Sequence, residues 1–147
     1  MHDRIIMKTE KLKSITIPLM SVIILTLMIG LTSCTRKIYF LVSSVVPAAQ
    51  GSITVKSDKN NNYIVQMTIS NLASIERLQP PKNSYVVWIE SDGENARNVG
   101  KVVSSNNLKV SFETVSSFKP TKVLITAEED EQAQYPGSMV VLTTGRF

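Results

Sequence analysis

The pattern of apolar and polar positions changes abruptly along this chain. One long apolar segment covers residues 15–31. After residue 34, short apolar stretches rich in β-branched residues alternate with clusters of Gly, Asn, Ser and Pro. No helical periodicity longer than about three turns occurs there. The pattern therefore predicts an N-terminal apolar helix followed by an all-β domain.

The short stretches predict seven or eight strands, at residues 38–46, 52–56, 63–69, 85–89, 98–103, 108–112, 122–127 and 139–143. Residues 58–62 predict a tight turn, and residues 70–82 a long connection with one helical turn. Asn106 and Asn107 predict a hairpin that pairs the strands on either side of them at a sheet edge. This number of strands predicts a two-sheet, immunoglobulin-like antiparallel β-sandwich.

The stretch 85–89 is apolar at every position, which predicts a central strand covered on both faces. Trp88 and Tyr85 have two interpretations here: a stacking platform for a sugar, or anchors of the core. We favour the core and predict that Val87 and Ile125 belong to it as well.

The single cysteine of the chain, Cys34, follows the apolar segment after two small residues. A basic N-terminal region precedes that segment, and residues 31–34 read Leu-Thr-Ser-Cys. The layout is that of a secretory signal, and the four residues resemble the lipobox of bacterial lipoproteins. The resemblance implies that the Cys34 sulfur receives a diacylglyceryl group, that the peptide before Cys34 is cleaved off, and that the new amino terminus is acylated with a fatty acid such as palmitate. The alternative is an uncleaved anchor, because the segment is near the lower limit of the roughly 17 to 25 residues that span a bilayer.

The lipobox resemblance divides the chain into a signal peptide at 1–33, a lipidated tether with the first strand at 34–47, and a sandwich domain at 48–147. It implies a cell-envelope protein that faces the periplasm or the cell exterior. Its partners would be the membrane, through the lipid anchor, and another envelope protein.

Composition excludes several classes of function. Residues 34–147 carry 12 basic and 10 acidic side chains, a net charge of +2, without a basic cluster between aromatics, so we expect no nucleic-acid partner. The only histidine, His2, precedes the apolar segment, so no Ser-His or Cys-His pair can form in the β domain. The closely spaced carboxylates Glu90 and Asp92 remain, but a small sandwich offers them no deep cleft. We expect no enzyme and no cofactor.

Six short stretches follow one another in the second half of the chain, at residues 85–89, 92–93, 98–100, 123–128, 135–138 and 140–142. In this order they resemble the extracytoplasmic domain of anti-sigma-K factors. The resemblance implies a β-sandwich that senses or binds, without catalytic residues. Fewer than 20 residues precede the apolar segment, so we expect no cytoplasmic domain and no direct binding of a sigma factor.

Two kinds of binding site are candidates. Four consecutive acids have two interpretations: oxygen ligands for calcium or, more commonly, a solvated loop. They are Glu128, Glu129, Asp130 and Glu131. Tyr135, beside Pro136 in a turn, is a candidate contact for a partner or, more commonly for such a residue, packs on its own loop. The sequence therefore leaves two functions open: a lipid-anchored module that binds another envelope protein, and a module that binds glycan or calcium.

Overall fold

The structure, a computed structural model, describes residues 35–103 and 109–147. Cys34, the apolar segment and the Asn106-Asn107 turn lie outside the described residues. A compact unit spans Thr35–Phe147. Its strands are β1 (Lys37–Tyr39), β2 (Gln50–Ser57), β3 (Tyr63–Ser70), β4 (Ser84–Glu90), β5 (Arg97–Val102), β6 (Lys109–Ser116), β7 (Lys122–Glu128) and β8 (Val140–Thr143).

The strands form two antiparallel four-stranded sheets, with the orders β1-β2-β3-β6 and β5-β4-β7-β8. The prediction of an all-β, two-sheet domain is confirmed. The one described helix is a 3-10 turn at Ile75–Arg77, inside the connection where the sequence predicts a helical turn. On one side of the domain, a bridge between Phe40 and Thr144 links the chain after β1 to the chain after β8. On the opposite side, β5 lies against β6.

The main core lies between the sheets and follows the period-2 pattern of the strands. Val65, Met67 and Ile69 of β3 are buried, whereas Gln66 between them is exposed. Val87 of β4 pairs with Ile125 of β7, and both side chains are buried. The inward faces of the two sheets therefore supply one continuous apolar cluster.

The turn between β2 and β3 is closed by Asp58, as the polar cluster predicts. Its carboxylate accepts hydrogen bonds from the backbone N–H groups of Asn60 (2.7 Å) and Asn62 (2.8 Å). These bonds lower the pKa of Asp58. Asn61 takes up the positive φ of the turn, a conformation that Asn tolerates better than most residues.

The predicted hairpin around residues 106–107 is wrong in its pairing. β5 pairs with β4, and β6 pairs with β3 along its whole length, so the two strands belong to different sheets. Each is an edge strand of its own sheet, as predicted. The register sets Phe112 of β6 opposite Met67 of β3. The apolar face of β6 therefore faces the core as part of the β1-β2-β3-β6 sheet, across from the sheet that contains β5.

The apolar stretch 38–46 forms a much shorter strand than the sequence predicts. β1 ends at Tyr39, and the chain then crosses toward the second sheet, where the N–H of Leu41 donates to the carbonyl of Thr143 (2.8 Å). A turn follows in which Ser43 Oγ accepts hydrogen bonds from two backbone N–H groups. Val46 beyond this turn is buried, so residues before the predicted domain start at 48 belong to the core.

Candidate functional site

Trp88 is completely buried, but it does not lie between the sheets. It packs with Val86 and Leu124 on the outer face of the β5-β4-β7-β8 sheet, where Ala96 and Ala133 cover it. Its indole N–H donates to Thr126 Oγ1 (2.7 Å). No face of this ring is open to a ligand.

Tyr85 is buried on the opposite, inner face of the same strand. Its hydroxyl donates to the carbonyl of Ala73 (3.0 Å), which fastens the connection before β4 to the core. Burial raises the pKa of Tyr85 to about 12, and the negative charge of Glu76 acts in the same direction. Neither Tyr85 nor Trp88 can therefore serve as a stacking platform.

The four acids at positions 128–131 begin the connection from β7 to β8, and their carboxylates point to different partners. Glu128 accepts hydrogen bonds from the hydroxyl of Thr126 and from the N–H of Gly137 (2.6 Å). Glu129 forms an ion pair with Lys82 (2.9 Å). Glu128 is thus tied to the loop and to its own strand, and Glu129 to the connection before β4.

Asp130 and Glu131 have separate partners as well. Asp130 accepts a hydrogen bond from the N–H of Gln132 (2.9 Å), and Glu131 forms an ion pair with Lys101 of β5. Calcium needs six to eight oxygen ligands directed at one point. In the described part of the chain, no group of three or more His, Cys, Asp or Glu side chains could hold a metal ion. The four acids are therefore loop anchors in this structure.

A polar relay that the sequence analysis missed runs from the buried tryptophan to the loop. Trp88 donates to Thr126, Thr126 donates to Glu128, and the N–H of Gly137 donates to the same carboxylate oxygen. A Cβ atom at Gly137 would stand 2.6 Å from that carboxylate, so only glycine allows this approach without a shift. The only sequence signal was the alternation of Thr126 and Glu128 on one face of a strand.

Asn98 of β5 holds the middle of the same loop. Its amide nitrogen donates to the carbonyls of Glu131 (2.9 Å) and Ala133 (3.1 Å), while its Oδ1 accepts from the N–H of Gly100 (3.0 Å). Gly100 has a positive φ of 133°, next to the bulge in the β4–β5 pairing. The bulge and this glycine therefore orient Asn98 toward the loop.

An open groove of about 880 Å³ lies between the β4–β5 hairpin and this loop. We call it the hairpin groove, and its lining includes Glu94, Asn95, Lys101, Gln132, Gln134 and Tyr135. Tyr135 is 73 % exposed at its border. The groove thus combines one accessible aromatic ring with amides and charges of both signs. It brings together Glu131 and Tyr135 of the predicted contact residues and leaves out Glu128, Glu129 and Asp130.

The carboxylates of Glu90 and Asp92 are held by basic partners. Glu90 pairs with Lys122 (2.9 Å) and Arg146 (3.5 Å), and Arg146 also reaches Asp92 (3.3 Å). These contacts connect the end of β4 to the start of β7 and to the C-terminal residues. In this arrangement they act as a structural ion-pair network.

Within residues 35–103 and 109–147, no helix combines the length and apolar composition that a bilayer crossing requires. Comparison of the chain with protein-family models, curated proteins and solved structures finds no match. The resemblance to the anti-sigma-K domain therefore rests on the sequence motifs alone.

Proposed function

We propose that this chain is a lipid-anchored cell-envelope protein whose β domain binds another envelope protein without catalysis. Transfer of a diacylglyceryl group to the Cys34 sulfur, cleavage before Cys34 and acylation of the new amino terminus would fix the domain to the membrane on the periplasmic or exterior side. The lipobox-like residues 31–34 behind an apolar segment support the anchor. The compact unit begins at Thr35, so a lipidated Cys34 would directly precede the β domain.

The sandwich is of the immunoglobulin-like kind in this proposal. Three connections support it, because β3–β4, β5–β6 and β6–β7 each cross from one sheet to the other. Such crossings generate the Greek-key arrangement of immunoglobulin-like domains. One difference is that Trp88, on the central strand β4, points away from the inter-sheet core.

The observation that carries the proposed interaction is the exposed ring of Tyr135 at the border of the hairpin groove. Tyrosine is enriched in protein interfaces because it buries a large area while keeping a polar hydroxyl. The backbone around it is fixed by Asn98 and by the Glu128–Gly137 contact, so binding would order little additional chain. The proposed partner is neither nucleic acid nor, directly, a sigma factor.

A glycan is the second candidate ligand, and the amide side chains of Asn95, Gln132 and Gln134 beside Tyr135 favour it. Amides and an aromatic ring are the usual combination for hydrogen bonding and stacking with a sugar. Calcium is less well supported, since the carboxylates of residues 128–131 are directed to separate partners.

The anchor is tested by feeding labelled palmitate to cells that make the full chain. We expect incorporation of the label, loss of the label in Cys34→Ala, and accumulation of the larger precursor in that variant. Label that persists in Cys34→Ala contradicts the anchor.

The binding surface is tested by placing the photo-crosslinker p-benzoyl-phenylalanine at position 135 in the full chain. Position 115 on β6 is the matched control, because Val115 is also well exposed (60 %) but lies outside the groove. We expect one discrete cross-linked envelope protein from position 135 and none from position 115. Equal cross-linking from both positions contradicts a groove-specific partner. Binding of the purified lipoprotein to envelope polysaccharide, lost in Tyr135→Ala, would replace the protein partner by a glycan.

A further inference from the structure

The chain at β1 has apolar side chains on both of its faces, and the protein covers only one of them. Ile38 and Phe40 point inward and pack on the inter-sheet core. Tyr39 and Leu41 alternate with them and are 69 % and 55 % exposed, and Val42 is 88 % exposed. Together, Tyr39, Leu41 and Val42 form what we call the β1 patch. Among the described residues, none buries these three side chains.

The charged residues that flank the β1 patch along the sequence are of one sign. Between residues 35 and 57 the chain contains no acidic residue, whereas Arg36, Lys37 and Lys56 are basic. All three are exposed, and Lys37 lies on the same outward face of β1 as Tyr39. Lys109 lines the same depression as Tyr39 and Val42. An apolar patch with this basic border is complementary to an anionic bilayer surface.

The β1 patch is also close to the proposed anchor along the chain. Only Thr35 and Arg36 separate Cys34 from the first residue of β1. A trans peptide spans at most about 3.6 Å per residue, so Lys37 lies within roughly 11 Å of Cys34. A lipidated Cys34 would therefore keep β1 at the membrane surface.

We propose that the β1 patch inserts into the interfacial region of the bilayer that holds the acyl chains of Cys34. The inference rests on the lipidation proposed above. The hairpin groove lies against β5, on the side of the sandwich opposite β1 and the bridge to Thr144. Contact of the β1 patch with lipid therefore directs the groove away from the membrane, toward a partner. Tyrosine at such an interface keeps its hydroxyl in the headgroup layer while its ring is buried.

The single cysteine of the chain allows a direct test. In the lipidated protein Cys34 has no free thiol, so a cysteine introduced by Val42→Cys is the only target for a charged maleimide. Val115→Cys on β6 is the matched exposed control. The purified lipoproteins are placed in vesicles of phosphatidylethanolamine and phosphatidylglycerol and are labelled before and after addition of detergent.

We expect Val42→Cys to react about tenfold more slowly in vesicles than in detergent. Burial of one apolar side chain favours the molecules whose patch lies in the bilayer over those whose patch lies in water by at least that factor. Val115→Cys should react equally fast in both. Equal rates for Val42→Cys in vesicles and detergent overturn the inference. Protection of Val42→Cys that vanishes when the protein is diluted in lipid shows a second copy on the patch and also overturns the inference. Protection that occurs in native membranes but not in the vesicles shows another membrane component on the patch and overturns it as well.

The unsubstituted protein separates this inference from the proposal on which it rests. If the Cys34 sulfur carries the diacylglyceryl group, this protein takes up no maleimide in vesicles or in detergent. Uptake of label by the unsubstituted protein contradicts lipidation itself. If the unsubstituted protein takes up no label but Val42→Cys is labelled fast in vesicles, the membrane contact is contradicted and lipidation is not.

Discussion

Two apolar clusters lie on opposite faces of the β5-β4-β7-β8 sheet, and they are held in different ways. The inner cluster is closed by a second sheet, with Val87 and Ile125 at its centre. The outer cluster around Trp88 has no second sheet over it. Two alanines cover it, one before β5 and one in the loop from β7 to β8. Hydrogen bonds, and not the burial of a large apolar surface, hold that loop in place.

The difference teaches how a small domain can hold a surface loop by contacts that are separate from those that define its fold. The inner cluster specifies the two sheets, and large apolar burial makes it the main source of stability. The outer cluster positions the loop beside the hairpin groove through a few polar contacts. Such contacts contribute about 1 kcal/mol each, so they can be altered singly while the sheets persist.

The largest effect is expected from Trp88→Ala. Deleting a buried large aromatic costs about 3 to 5 kcal/mol, a large part of the roughly 5 to 15 kcal/mol that stabilises a typical domain. The variant should also lose protection of the Gly137 amide from hydrogen exchange, because the surface beneath the loop is gone. Urea unfolding followed by circular dichroism measures the stability. A midpoint equal to that of the unsubstituted protein would show that the outer cluster contributes little.

Ile125→Ala is the matched change in the inner cluster. Truncating a buried isoleucine costs about 2 to 5 kcal/mol, so this variant should be destabilised to a similar or smaller degree. Under conditions where it is still folded, the Gly137 amide should keep its protection, because Ile125 faces the other sheet. Opening of the loop in Ile125→Ala would mean that the two clusters are not separable.

Asn98→Ala should release the loop with a smaller loss of stability. It removes two hydrogen bonds to loop carbonyls and one from Gly100, and a cost of about 1 to 3 kcal/mol is expected. The only tryptophan of the chain reports the event, since Trp88 emission should shift to longer wavelength when the loop exposes it. Ser111→Ala, at a β6 position distant from the loop in the pairing of the sheets, serves as a control that should leave the emission unchanged.

The smallest effect at neutral pH is expected from Tyr85→Phe, which removes only the bond to Ala73, worth about 1 kcal/mol. Its pH dependence is more informative. The folded pKa of about 12 lies above the ordinary value of 10, so the stability from the neutral hydroxyl is complete below pH 10 and is lost as the pH rises through 12. In Tyr85→Phe, the fall of the thermal midpoint between pH 10 and 12 should be smaller than in the unsubstituted protein. Identical profiles would contradict a buried, protonated Tyr85.

Much of the local structure could be predicted because alternation of side chains is a property of the strand itself. The alternation in residues 63–69 identifies a strand with one buried face, and the unbroken apolar stretch 85–89 identifies a strand buried on both. Asp58 and its asparagines predict their turn, because the bonds that close it are made within five residues. These signals are local, so the sequence alone contains them.

Strand partners and the second layer of burial depended on contacts distant in sequence. Asn106 and Asn107 favoured a hairpin, yet β6 pairs with β3 because its apolar face completes the inter-sheet core there. The acids at 128–131 look alike in the sequence, but each has a different partner. Glu129 forms an ion pair with a lysine before β4, Glu131 forms one with a lysine of β5, and Glu128 accepts a hydrogen bond from a glycine nine residues away.

The sequence by itself determined that residues after 34 form β-strands, where most of those strands lie and which residues alternate toward an apolar side. Only the tertiary structure decided that Trp88 is buried beneath a loop instead of between the sheets, and that Tyr39, Leu41 and Val42 remain uncovered on the side opposite the hairpin groove. The physical reason is that a period of two residues divides a strand into two faces, but what covers each face is set by segments that the chain brings together only on folding.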